Sequence, residues 1–116
     1  MRVVLPWPCR ELSPNARVHW TKKARAAKNY RAIALVMAHV KARQLNRPSG
    51  LESARVGIEF YPPDNRRRDL DNMLASMKPA IDGIAAAIGV DDSKWEISMK
   101  KGAAVEGGLV VVEVVS

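Results

Sequence analysis

Alternating apolar and polar residues predict four strands along the chain. Residues 54–61 place every second side chain on one apolar face, formed by Ala54, Val56, Ile58 and Phe60. Residues 94–101 alternate in the same way, and residues 109–115 form a nearly continuous apolar run that is typical of a central strand. The glycines between these last two segments predict a hairpin turn. A short opening strand is predicted over residues 1–7, where prolines end it.

Apolar residues at helical spacing predict two helices. The first covers residues 21–43, with Thr21 as a candidate N-cap, and its apolar stripe consists of Ala26, Tyr30, Ile33, Met37 and Val40. The second covers residues 70–88, and Pro79 within it predicts a kink or a break near Lys78. The resulting order, β-α-β-α-β-β, predicts an α/β or α+β fold with a small mixed sheet and two helices.

Length and composition indicate one cytoplasmic domain. The chain has 116 residues, which suits a single core, and residues 44–50 predict a linker because they contain a proline and a glycine. The one cysteine, Cys9, excludes an intramolecular disulfide and indicates a reducing compartment. No apolar run is long enough to span a membrane, and the N-terminus does not resemble a signal peptide. We therefore expect no membrane partner.

Charge is distributed unevenly along the chain, whose formal net charge is +7. Residues 1–50 hold eleven Lys or Arg and one acid, whereas residues 51–116 hold eight and eleven. A basic half beside an acidic cluster indicates a nucleic-acid surface next to a metal site, although a solvated basic helix gives the same pattern. Trp20 is expected to anchor the core. The candidate DNA-binding residues of this half are Asn15, Arg17, His19, Lys22, Lys23 and the ridge Arg25, Lys28 and Arg31.

The most distinctive stretch is residues 66–72, where three arginines run into two aspartates spaced one residue apart. Its charged members are Arg66, Arg67, Arg68, Asp69 and Asp71, and a second acidic pair, Asp91 and Asp92, follows the second predicted helix. Carboxylates are the hard oxygen ligands that suit Mg²⁺, and arginines suit the phosphates on which such a metal acts. Each aspartate also fits an ordinary role, namely helix N-cap, first-turn acid or turn residue.

The chain resembles the RusA-type Holliday junction resolvases over nearly its whole length. The stretch Pro63-Asp64-Asn65-Arg66-Arg67-Arg68-Asp69-Leu70-Asp71-Asn72 is similar to the central motif of that family, and Val90-Asp91-Asp92-Ser93 is similar to its second acidic motif. The segment Leu5-Pro6-Trp7-Pro8 resembles the opening strand of the family, and Asn15 resembles its early asparagine. These proteins are endodeoxyribonucleases that are often encoded by phages and prophages.

The resemblance implies a homodimer that binds four-way DNA junctions and makes paired, symmetric cuts in recombination and repair. It implies Mg²⁺ as cofactor, with Mn²⁺ as a possible substitute. It also implies that Asp69, Asp71 and Asp92 are the essential carboxylates, with Asp91 as an alternative metal ligand. The expected location is the cytoplasm of a bacterial or phage-infected cell.

The chain departs from the family at Ala75, where the family usually has a lysine. Lys78 lies three residues further on, and we expect it to take over as a catalytic cation, unless it is an ordinary surface lysine. Two other interpretations stay open, a DNA-binding accessory protein with weak or no cleavage and a nuclease that is less selective for branched DNA.

Overall fold

The computed structural model describes residues 1–45 and 53–115. The chain forms four strands and three α-helices: β1 (Arg2–Pro6), α1 (Trp20–Gln44), β2 (Ala54–Tyr61), α2 (Leu70–Ser76), α3 (Lys78–Ile88), β3 (Trp95–Lys101) and β4 (Leu109–Val115). Short 3₁₀ turns occupy Arg10–Leu12 and Asp92–Lys94. The predicted linker begins as expected at the end of α1, but its residues 46–50 lie outside the described part of the chain. The predicted mixed α/β domain is confirmed.

The four strands form one mixed sheet in the order β1-β4-β2-β3. The central strand β4 is antiparallel to both β1 and β2, whereas β3 is parallel to β2 at the edge. The predicted hairpin between β3 and β4 is therefore wrong, because β2 lies between them. The connection runs past the end of β2, where the Gly102 N–H donates to the Phe60 carbonyl (2.8 Å). Gly107 and Gly108 do turn the chain, with φ angles of 79° and 69°.

The helices and one face of the sheet enclose the hydrophobic core. The predicted inward face of β2 is confirmed, since all four of its members are buried. Helices α1 and α3 cross closely at Gly83, where an added Cβ would lie 2.4 Å from the carbonyl oxygen of Arg31. Only glycine fits there without moving one helix away from the other.

The predicted apolar stripe of α1 is correct at Ala26 and Tyr30, which pack against or within the core, but wrong further along the helix. The helix buries Tyr30, Ala34 and Ala38, whereas Ile33, Met37 and Val40 are exposed. The close crossing with α3 favours small side chains at the contact, so the larger apolar residues lie beside the contact and not within it. Trp20 is also not a core anchor, because it is 73% exposed.

The predicted break near Lys78 is confirmed. Helix α2 ends at Ser76, and α3 begins at Lys78 with Pro79 in its first turn, where a proline costs no hydrogen bond. The Tyr30 hydroxyl lies against this junction, 3.4 Å from the Met77 sulfur, and donates to the Pro6 carbonyl (2.7 Å). Burial raises the pKa of Tyr30, which keeps this donor protonated. Among residues 1–45 and 53–115, no helix has the length and apolar character that a membrane crossing requires.

Candidate nucleic-acid and metal site

A cavity of about 670 Å³ lies between the segment after β1 and the start of α2. It brings together six of the predicted site residues or their motif neighbours from distant parts of the sequence, namely Asn15, Arg66, Arg67, Arg68, Asp69 and Asn72. Its lining also includes polar and basic residues that the sequence did not single out, Cys9, Arg10, Ser13 and Ser76. The arginine run and the first acidic residue therefore face one common space.

Trp7 contributes an aromatic ring to the lining of this cavity. Its ring meets the buried Phe60 edge-on, with centroids 6.2 Å apart and an interplanar angle of 76°. The Arg68 guanidinium lies 5.6 Å from the centroid of the Trp7 ring, within the range of a cation–π contact. An added Cβ at Gly108 would approach Trp7 to 3.0 Å, so this glycine allows the tryptophan to sit where it does.

Asp64 contacts two of the three arginines, Arg68 more closely than Arg66. Its carboxylate accepts from the Arg68 guanidinium (2.8 Å) and from the backbone N–H of Arg66 (3.0 Å), and these bonds lower its pKa to about 2. Much of the charge of Arg68 is thus already paired, and its side chain is only 20% exposed. The Arg66 guanidinium also forms an ion pair with Asp64 (3.5 Å), but its side chain is 84% exposed, and Arg67 is exposed as well, so both are accessible to an anion.

Asp69 occupies the N-cap position of α2 without capping it. Its backbone carbonyl accepts from Met73 N–H (3.1 Å), but its side chain makes no capping hydrogen bond. Within the described residues, no side chain pairs with this carboxylate, which lines the cavity beside the arginine run. A capping role therefore does not account for Asp69.

The other predicted metal ligands lie in more ordinary settings. Asp71 is an exposed first-turn acid of α2 whose carboxylate accepts from the Asn72 N–H (3.1 Å). Asp91 caps the 3₁₀ turn by accepting from the Ser93 N–H (2.9 Å), which lowers its pKa. Both arrangements agree with the structural alternatives that the sequence left open.

Lys78 bridges two carboxylates. Its ammonium group forms ion pairs with Asp92 and, at 3.0 Å, with Asp82 one helical turn further along α3. Both contacts raise the pKa of Lys78, Asp92 having the larger effect. The sequence did not single out Asp82, although the i, i+4 spacing from Lys78 was a usable signal.

The basic residues of α1 and the segment before it surround the candidate site in separate groups. Lys23, Lys28 and Arg31 share a second cavity with Ala75 and Lys78, and Lys22 and Arg25 line a third beside Trp7. Arg17 lies with Asn15 in a smaller depression. His19, and not Thr21, caps α1, because its Nδ1 accepts from the Thr21 N–H (3.2 Å).

The donor chemistry of the predicted ligands fits Mg²⁺, but their assembly is incomplete. In the described part of the chain, no three His, Cys, Asp or Glu side chains form a group that could hold a metal. The predicted ligands Asp69, Asp71, Asp91 and Asp92 are thus not gathered into one cluster. Mg²⁺ commonly takes one or two protein carboxylates and completes its shell with water and phosphate oxygens, so a site centred on Asp69 remains chemically suitable.

Comparison with known proteins finds an uncharacterized relative but no matching family model. No protein-family model matches the chain. A protein of Xylella fastidiosa (strain Temecula1 / ATCC 700964), described as "Uncharacterized protein", is 47% identical over 98 residues. The match covers 80% of this chain and 61% of that protein, so the chain spans less than two thirds of the length of its relative.

Proposed function

We propose that the chain is a RusA-like, Mg²⁺-dependent endodeoxyribonuclease that binds four-way DNA junctions and cuts them in pairs. It would act as a homodimer in the cytoplasm of a bacterial or phage-infected cell. The observation that carries the proposal is the cavity in which the unpaired carboxylate of Asp69 lies beside Arg66, Arg67 and Arg68. An acid without a structural role beside exposed cations is an arrangement that suits a phosphodiester and a divalent metal.

DNA binding in this proposal uses two sets of cations. Arg66 and Arg67 are exposed at the cavity and can donate to phosphate oxygens, while Arg68 is fixed between Asp64 and Trp7 and shapes the wall. The exposed basic residues of α1, Lys28 and Arg31 among them, extend the positive surface beyond the cavity. A junction needs such an extended surface because several of its arms must be held at once.

The proposed chemistry needs few protein groups. When bound, Mg²⁺ lowers the pKa of water and neutralises charge on the phosphate. Asp69 would supply an oxygen ligand from the start of α2, and the resemblance adds Asp71 and Asp92, although these acids do not form one cluster with it among the described residues. Lys78 holds Asp92 in place through its ion pair and provides a cation beside that acid. No nucleophilic side chain is required.

The test is cleavage of three synthetic DNA substrates, a four-way junction, a flap and a linear duplex, with Mg²⁺, with Mn²⁺ and with EDTA. We expect metal-dependent, symmetric cutting of the junction and much slower cutting of the duplex. The Asp69→Asn protein should still bind the junction but should not cut it. As a matched control, Glu106→Gln changes an exposed loop acid and should cut normally.

A DNA-binding accessory protein is the second candidate, because the pairing of Asp92 with Lys78 leaves that acid engaged and no cluster of three ligands is formed. Junction binding without cutting at any metal concentration would favour it over the nuclease. Equal cutting of all three substrates would instead indicate a nuclease without selectivity for branched DNA.

A further inference from the structure

The side chains of the edge strand β3 are unusually exposed for a strand that adjoins the core. Six of its seven residues are exposed, and within the described residues it pairs only with β2. Ile97 and Met99 lie directly opposite the buried Val56 and Ile58, so they share the core-facing side of the sheet, yet each is 39% exposed. The apolar layer of the sheet thus continues onto β3 without a cover.

From this edge we infer that a second copy of the chain pairs antiparallel with β3, so that two sheets join into one sheet of eight strands. The inference does not rest on the proposed nuclease activity, although paired cutting needs a two-fold dimer. A long edge without proline is a template for strand pairing, and β3 has neither proline nor glycine. The opposite edge, β1, is shorter and contains Pro6, which cannot donate to a ladder.

The sequence of β3 is complementary to itself about Ser98. A two-fold axis at Ser98 would place Glu96 opposite Lys100 of the second copy and Ile97 opposite Met99 of the second copy. Each contact would occur twice, because a two-fold interface is isologous. Opposite charges and apolar pairs directly across an antiparallel ladder are both stabilising.

The neighbouring strand β2 extends this match to the four central strands of the joined sheet. In the existing register Arg55 lies opposite Glu96, with a salt bridge of 3.7 Å, and Glu59 lies opposite Lys100. Pairing would therefore form a row of alternating charge across four strands, in the order Arg55, Glu96, Lys100 of the second copy and Glu59 of the second copy. The adjacent row on the core side would be entirely apolar.

Helix α1 also exposes apolar residues, but it is a poorer surface for a second copy. The helix carries seven Lys or Arg and no acid, so two such helices would repel each other. Self-association through β3 brings opposite charges together, whereas self-association through α1 brings like charges together. The charge pattern thus selects the strand.

The first test uses charge reversal and light scattering of the free protein at tens of micromolar concentration. The unchanged chain should be a dimer, whereas Glu96→Lys and Lys100→Glu should each be monomers, because each places like charges opposite each other twice. An equimolar mixture of the two variants should dimerise again, since the reversed charges then match. Glu106→Lys and Lys94→Glu make the same changes in net charge off the edge and should remain dimers.

A monomeric unchanged chain would overturn the inference, as would variants that stay dimeric while circular dichroism shows them folded. DNA is absent from the experiment, so the result is independent of nuclease activity. A dimer that survives both reversals would have to use another surface, such as α1.

The second test fixes the register by cross-linking in a Cys9→Ser background. Opposed residues of an antiparallel pair have Cα atoms about 4.5–5.5 Å apart, which suits a disulfide. Ser98→Cys should therefore form a covalent dimer when the oxidant diamide is added. Glu96→Cys lies on the same strand and face, but its two copies would be about 13 Å apart along the strands. Equal cross-linking of both variants, or none with Ser98→Cys, would contradict the proposed axis.

Discussion

At the scale of single residues, Lys78 is the cation that the proposed chemistry uses in place of the lysine absent at Ala75. Its ammonium group joins Asp92 to Asp82, so its removal frees Asp92 and takes away the cation paired with it. We expect Lys78→Ala to lower the single-turnover cutting rate by roughly ten- to a thousand-fold, the range for one lost charge-stabilising group. Junction affinity should change little.

The control for this change is Lys94→Ala, which removes an exposed lysine that forms no ion pair among the described residues. Lys78→Arg keeps the charge and should recover part of the rate, whereas a purely structural lysine would affect stability and not the cutting step. An unchanged rate at saturating protein would show that Lys78 has no part in catalysis, and Arg68 would then be the next cation to test.

Asp64 gives a prediction about pH and stability. Its pKa falls from an ordinary value of 3.8 to about 2 in the folded chain, first because of Arg68 and then because of the Arg66 N–H. A depressed carboxyl pKa contributes stability that is complete above about pH 4 and is lost as the pH falls toward 2. Asp64→Asn should therefore be less stable than the unchanged chain at pH 5, and the two should converge near pH 2.

Urea unfolding across this pH range measures the effect as a free energy of unfolding. A difference in unfolding free energy between the two proteins that stays constant from pH 5 to pH 2 would mean that the ion pair with Arg68 does not cause the loss of stability at low pH. Asp71→Asn is a useful comparison, because its carboxylate accepts a local backbone N–H and forms no ion pair among the described residues.

The residues that the sequence missed share a simple spacing. Asp64 pairs with Arg68 and Lys78 pairs with Asp82, and both pairs are four residues apart. The sequence grouped the three arginines as one DNA-binding unit and did not show that Arg68 is paired with Asp64. Sequence motifs identify which charges are concentrated, but they do not show which of them neutralise each other within the fold.

At the scale of elements, Gly83 sets the distance between α1 and α3. An alanine in a helix is ordinarily more favourable than a glycine, but here its Cβ would lie 2.4 Å from the Arg31 carbonyl oxygen. We expect Gly83→Ala to destabilise the fold by about 1–3 kcal/mol, the usual cost of overpacking. Gly57→Ala is the matched control, because its Cβ would meet only Ser98 Oγ at 3.5 Å. Equal stability of both variants by urea unfolding would show that the helices separate without cost.

The same close crossing explains what helical spacing could and could not predict. The bounds of β2 and the break at the start of α3 followed from alternation and from Pro79. The buried side of α1 did not follow from the sequence. The large apolar residues define a stripe beside the helix contact, whereas the contact itself uses Ala34 and Ala38. Small residues at a tight helix contact leave a weak signal in the sequence.

At the scale of the whole molecule, strand pairing was the least predictable feature. The sequence predicted four strands and a central β4, but it favoured a hairpin between β3 and β4 where the chain instead passes β2. Local turn residues such as Gly107 and Gly108 fit either path. The path is decided by which strands bury their faces together, and that information lies in contacts between distant segments. The cavity around Asp69 depends on the same long-range packing.

The distribution of the charge of +7 over the whole molecule leads to the last prediction, which concerns salt. Each phosphate contact releases condensed counterions, so the logarithm of affinity falls with the logarithm of salt concentration at about 0.9 per contact on duplex DNA. If Arg66 and Arg67 both contact phosphates, replacing them together with alanine should reduce the slope by up to about 1.8. Junction affinity at low salt should fall as well.

The control is the double variant Arg2→Ala and Lys94→Ala, which removes the same charge from two exposed residues that lie outside α1 and away from the cavity lining. If the salt dependence of affinity reflected only net charge, its slope would fall equally in both double variants. A fall confined to Arg66 and Arg67 would mean that these two side chains touch the DNA backbone, because counterion release counts contacts and not distant charge. If the slope is unchanged in both, the arginine run faces away from DNA, and the basic residues of α1 must make the contacts.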